Sequence, residues 1–134
     1  MSTLPPSDDD LLVEIIQKAV FHVGPQVEHH SEAIFEEALS LELQGLGCTV
    51  QRQVVREITF FPSWDPSVRI NCGSVRLDLV VKYRTSVVVI EVKKLNAKKD
   101  IDQISKYLET VPPRWGLARA TPNNVSWARC PSFC

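Results

Sequence analysis

No stretch of this chain is apolar for long enough to cross a bilayer, which takes about 20 residues as a helix, so no membrane span is expected. Residues 1–10 are polar and acidic and include Pro5 and Pro6. They lack the apolar centre of a secretory leader, so an intracellular protein is expected. Cysteine is scarce, and Cys48, Cys72, Cys130 and Cys134 form no CxxC pair and match no histidine spacing. A zinc site is therefore not expected, free thiols in a reducing compartment are the default, and Cys130 and Cys134 in their prolyl tail could pair or oxidise. Internal repeats and low-complexity stretches are absent too. A chain of 134 residues then reads as one domain, with residues 1–9 as an extension and 121–134 as a tail.

Net charge is also nearly absent, at −1, but it is unevenly spread. Residues 1–75 carry four basic against eleven acidic side chains, a net of −7; residues 76–134 carry eleven against five, a net of +6. The basic half suits a phosphate polymer, which is bound mainly through such charges. A merely solvated surface is the plainer reading. The acidity of the whole argues against strong, indiscriminate nucleic-acid binding.

What stands out is a pair of acids in two apolar, β-branched runs. Asp78 sits in Arg76-Leu77-Asp78-Leu79-Val80-Val81, and Glu91 and Lys93 close Val87-Val88-Val89-Ile90-Glu91-Val92-Lys93. Both runs predict strands, whose two-residue repeat puts Glu91 and Lys93 on one face. If Arg84-Thr85 form a two-residue hairpin loop, Tyr83 pairs with Ser86 and Asp78 stands opposite Glu91. Their Cβ atoms would then lie about 5 Å apart. Arg-Thr is not a favoured pair for such a turn, and a three-residue loop would need a bulge to restore the register. Carboxylates anchored in a sheet core cost free energy unless something compensates them. A shared divalent cation would do so, and the pattern suits metal-dependent phosphodiester hydrolysis. The alternative is an Asp78–Lys93 or Glu91–Lys93 ion pair that only holds the sheet.

Around this core the sequence predicts helices and strands in the order α-α-β-β-β-α-β, a central mixed sheet flanked by helices in an α/β fold. Ser7 can cap a first helix with Asp8, Asp9 and Asp10 in its opening turn, and Gly24-Pro25 is expected to stop it. A second helix runs from Ser31 to about Gln44, with Ile34, Phe35, Ala38, Leu39, Leu41 and Leu43 as its apolar stripe. A strand over Cys48–Phe61 should turn Val50, Val54, Ile58 and Phe60 inward. A prolyl loop at 61–66 follows, then the two acid-bearing strands. A third helix is expected over Asp100–Thr110 and a last strand at Trp115–Ala118.

These elements and residues resemble the PD-(D/E)XK nuclease superfamily, and within it the small GxxExxY group. His29-His30-Ser31-Glu32-Ala33-Ile34-Phe35 corresponds to the group's helical motif, followed by Glu42-Leu43, Gly47, Val50 and Gln53. Gly73, Arg76 and Asp78 correspond to the strand of the first acid, and Glu91-Val92-Lys93 to the ExK element. Gln103, Tyr107, Leu108, Gly116 and Leu117 correspond to the closing helix and strand. The resemblance runs over about residues 15–118 and implies a restriction-endonuclease-like core. It departs at His29 and Phe35, where the motif has Gly and Tyr, in a longer loop at 61–72, and in lacking Asn-Phe after the last strand.

The resemblance implies that Asp78, Glu91 and the Val92 carbonyl hold Mg²⁺, with Mn²⁺ as a substitute, and that Lys93 acts on the attacking water or the phosphorus. It implies an extra carboxylate from Glu32, whose other reading is a helix N-terminal charge. Gln103 and Tyr107 share a helix face and would meet substrate, or be an ordinary polar edge. Lys94, Lys98 and Lys99 would meet backbone phosphate, or solvent. His29 and His30 diverge as neighbours and are not expected to act in catalysis. Trp64, Trp115 and Trp127 read as core rather than as base-stacking groups. The leading expectation is a Mg²⁺-dependent DNA endonuclease, with DNA rather than RNA as partner and a homodimer as one way to cut both strands. Its rivals are a non-catalytic nucleic-acid-binding or assembly module of the same fold, and an interaction domain whose acids are structural.

Overall fold

The computed structural model describes residues 5–94 and 110–131. Helix α1, Asp8–Val27, begins as expected: Ser7 Oγ accepts from the Asp10 amide at 3.1 Å, and three aspartates fill the first turn. It does not stop at Gly24-Pro25 but runs on with Pro25 inside it. The reason is packing. A Cβ on Gly24 would lie 1.6 Å from the Pro122 carbonyl oxygen, so Gly24 is where a neighbouring segment touches the helix, not where the helix ends. Pro25 removes one donor near the end of the helix, and the carbonyl it would have served belongs to Phe21, on the solvent side.

Helix α2, Glu32–Gly45, is capped by Ser31, whose hydroxyl accepts from the Ile34 amide at 3.3 Å. Phe35, Leu39 and Leu43 are buried, while Ile34 and Leu41 from the expected stripe are exposed. Gly47 follows in the left-handed region (φ +99°), which lets the Cys48 amide turn back to the Leu43 carbonyl at 3.0 Å.

Five strands form one mixed sheet in the spatial order of their sequence: β1 Thr49–Phe60, β2 Ile70–Tyr83, β3 Ser86–Val92, β4 Gly116–Thr121 and β5 Asn124–Arg129. Only β3 and β4 run parallel. A parallel neighbour requires a crossover, and the helix expected at 100–110 lies in that connection, outside the described residues for all but Thr110. Strand β5 corrects the expected tail at 121–134. Thr121 pairs with Asn124 across Pro122-Asn123, and Val125 and Trp127 then alternate inward against the core. Both α-helices pack on one face of the sheet, against Leu79, Val81, Val88, Ile90, Val92, Ala118 and Ala120. The opposite face carries a smaller cluster of Leu77, Val80, Val89, Val111 and Leu117.

Strands β1 and β2 outrun β3, whose pairing with β2 reaches only Leu79. The projecting ribbon leaves Val55, Phe60, Phe61, Trp64 and Ile70 exposed, so Phe60 does not turn inward as expected. Cys48 and Cys72 are free thiols, the default expected, whereas Cys130 is disulfide-bonded, the alternative left open for the tail. No helix among the described residues is long and apolar enough to cross a membrane.

Candidate metal centre

The turn that sets the site's register is Arg84-Thr85. Tyr83 pairs with Ser86, and the ladder continues through Leu79 opposite Ile90, as the two-residue loop requires. Arg84 takes a φ of +55°, the strained step of a primed turn, and its guanidinium stacks 5.1 Å from the Tyr83 ring. An unfavoured turn dipeptide survives here because the start of α1 grips it. Thr85 Oγ1 donates to Asp8 Oδ2 at 2.8 Å, and Ser86 Oγ donates to Asp9 Oδ1. The Thr85 hydroxyl bond, with smaller help from the Thr85 amide and Arg84, holds the Asp8 carboxyl below the usual carboxylate range.

At the other end of the same two strands the ladder opens. Pairing stops at Leu79 and Ile90, and the Val92 amide donates to Asp78 Oδ2 at 2.8 Å. A side chain has taken the donor that a regular strand would offer to backbone. Asp78 therefore leans toward β3 at the mouth of the split. Lys93 follows at once, its amide held by the Ala120 carbonyl at 2.9 Å.

Three charged groups converge there. Lys93 Nζ lies 3.8 Å from Glu91 Oε1, and the Glu91 side chain is only 6 % exposed. The Glu91 carboxyl also faces that of Asp78, a contact that is a hydrogen bond only while one of them holds a proton. With both ionised, Glu91 Oε2 is buried and has no donor among the described residues. Burial first, and the Asp78 charge second, push the Glu91 carboxyl up to about 8, with Lys93 pulling the other way. Asp78 is also raised, mainly by burial, against the pull of the Val92 amide and Lys93.

Two desolvated carboxylates, one with an orphaned oxygen, form an oxygen-only donor set. That set fits a hard divalent cation such as Mg²⁺, which typically takes one or two carboxylates and keeps several waters. Glu32 stands beside this pair. Its Oε1 accepts from the Lys94 amide at 3.0 Å, and its charge raises both acids from outside. Among the described residues no group of three or more His, Cys, Asp or Glu is arranged to hold an ion.

The structure thus brings together Asp78, Glu91 and Lys93, with Val92 and Glu32 beside them. Lys94 is exposed, its backbone rather than its ammonium engaged by Glu32. Gln103, Tyr107, Lys98 and Lys99 lie outside the described residues. His29 is exposed and 3.5 Å from the adjacent Glu28. Trp64 is 75 % exposed, contrary to a core role, whereas Trp115 lies under the Arg56 guanidinium and Trp127 packs on the helix-side core. Sequence reasoning missed Glu36, which is buried and accepts from Gln53 Nε2 at 2.7 Å. Its position one turn after Glu32, on the face that meets the sheet, was the available signal.

The family model of the PD-(D/E)XK nuclease superfamily matches residues 10–118. No curated protein matches the chain.

Proposed function

The chain belongs to the PD-(D/E)XK nuclease superfamily, and on that premise we propose that the open end of β2 and β3 hydrolyses phosphodiester bonds of intracellular DNA as an endonuclease. Members of this superfamily are typically nucleases and generally use divalent metals, usually Mg²⁺. The observation that carries the reading is the Glu91 carboxyl, which is buried, faces a second acid and has one oxygen without a donor among the described residues. A structural ion pair would place a donor on that oxygen, and Lys93 instead approaches the other one.

Asp78 and Glu91, with the Val92 carbonyl, would hold the cation. When bound, it supplies charge neutralisation at the phosphoryl group and a more acidic water. The Asp78 carboxyl is oriented by the Val92 amide before any ligand arrives. Lys93 places an ammonium beside the acids, on the Glu91 face, where it stabilises the negative charge that accumulates on phosphorus-bound oxygen. Glu32 fixes the chain just after β3 through the Lys94 amide, which keeps Lys93 aimed at the acids. The basic residues after Arg76 attract the phosphate backbone.

The test is cleavage of plasmid, linear, single-stranded and branched DNA with Mg²⁺, with Mn²⁺ and with chelator. Metal-dependent cutting that disappears in Asp78→Asn and in Glu91→Ala is the expected result. Salt-sensitive binding without cutting would instead make the chain a non-catalytic nucleic-acid-binding module.

A further inference from the structure

A second irregularity lies directly across from Asp78 on its other side. The β1–β2 register is unbroken from Thr49 opposite Lys82 to Arg52 opposite Leu79, and resumes with Val54 opposite Leu77. Only Gln53 and Asp78 are left unpaired between them. Gln53 has a φ of +55°, a backbone region that a residue with a side chain rarely adopts within a strand. Nothing in glutamine favours it, so something must hold it there.

Both strands change face at this point. Val50, Leu79 and Val81 pack on the helix side, yet Val54 and Leu77 pack on the opposite side, where regular alternation would not put them. On β1 the consecutive residues Arg52 and Gln53 both reach α2. Gln53 Nε2 donates to Glu36 Oε1 at 2.7 Å, and the Arg52 guanidinium lies 3.8 Å from Glu36 Oε2. Each strand slips by one residue at the same place, so the register survives and Asp78 is released from the ladder. Freed from β1, its carboxyl can turn to the Val92 amide.

We infer that Glu36 and Gln53 are positioning residues: their bond holds the inverted backbone that releases Asp78 from β1 and sets its carboxyl against β3. Helix α2 then works as a strut. Glu32 ties the end of β3 through Lys94, Glu36 ties β1 four residues on, and Asp78 lies between the two anchors. The placement of Asp78 stands on this geometry alone, and its consequence for metal binding rests on the proposed function.

The test compares Gln53→Val with wild type in the metal-free protein. Valine favours a regular strand, so the ladder should close and Asp78 should leave Val92. Hydrogen exchange of the Val92 amide is expected to rise at least tenfold while that of Val81 and Val88 stays unchanged. Calorimetric Mn²⁺ affinity should fall by roughly 10–100-fold, the usual effect of losing a group that orients a ligand. Gln53→Asn, which tolerates the left-handed backbone but is too short for Glu36, should show a smaller change in the same direction. Glu36→Gln, which can still accept from Gln53, should behave as wild type. Unchanged Val92 exchange in Gln53→Val, or equal acceleration at Val81 and Val88, would overturn the inference. If wild type binds no Mn²⁺, the metal reading fails while the exchange comparison still decides this one.

Discussion

Glu36 and Glu91 are both buried glutamates, at 8 % and 5 % exposure, and the chain treats them in opposite ways. Each Glu36 oxygen has a partner, Gln53 on one and Arg52 near the other. Glu91 has Lys93 beside Oε1, a competing acid facing its carboxyl, and among the described residues no hydrogen-bond partner on Oε2. Burying a charge is costly unless it is paired and hydrogen-bonded. The fold meets that requirement at Glu36 and leaves it unmet at Glu91. On the proposed function, an external cation supplies at Glu91 what the protein itself supplies at Glu36.

The comparison can be broken most severely at the acids. Asp78→Asn and Glu91→Ala should each remove metal-dependent DNA cutting, by at least about a thousandfold if the pair acts as one unit, measured as initial rates on plasmid. At Glu36 the effect should fall on stability. Glu36→Ala leaves Gln53 and Arg52 without their acceptor and should cost about 1–3 kcal/mol in denaturant unfolding. Glu91→Gln should do the reverse and stabilise the metal-free protein near pH 8, because it removes a charge that burial disfavours.

The pH dependence sharpens the same contrast. The Glu91 carboxyl titrates near 8 in the folded chain against its ordinary 4.5, so the folded state binds more protons between those values. The Glu91 contribution to the stability of the metal-free protein should therefore be fullest below about 4.5 and fall as pH rises toward 8. In Glu91→Gln that slope should flatten, as read from thermal midpoints across the range. Smallest of all, Lys93→Met removes the cation that lowers both acids, and should move the slope further toward alkaline pH.

The readable parts of the sequence were those where local chemistry and tertiary packing agree. Ser7 and Ser31 cap as their positions suggest, and the apolar, β-branched composition of two short runs located both acid-bearing strands. The Arg84-Thr85 turn was legible only as an assumption, because its anchors Asp8 and Asp9 come from the far end of the chain. Gly24 misled for a similar reason: its role is set by Pro122, almost a hundred residues away. Strand β5 was hidden behind a prolyl turn, although Val125 and Trp127 already alternated. The face change at Gln53 and Asp78 breaks the two-residue rule on which strand reading depends. It does so next to the acids, where local regularity gives way to the site's geometry.

The most direct measurement is an NMR titration of the Glu91 side-chain carboxyl, without and with Mg²⁺. The account predicts a midpoint near 8 in the metal-free protein, displaced to markedly lower pH when Mg²⁺ is added. A midpoint near the ordinary 4.5, or a raised one that Mg²⁺ leaves in place, would contradict it.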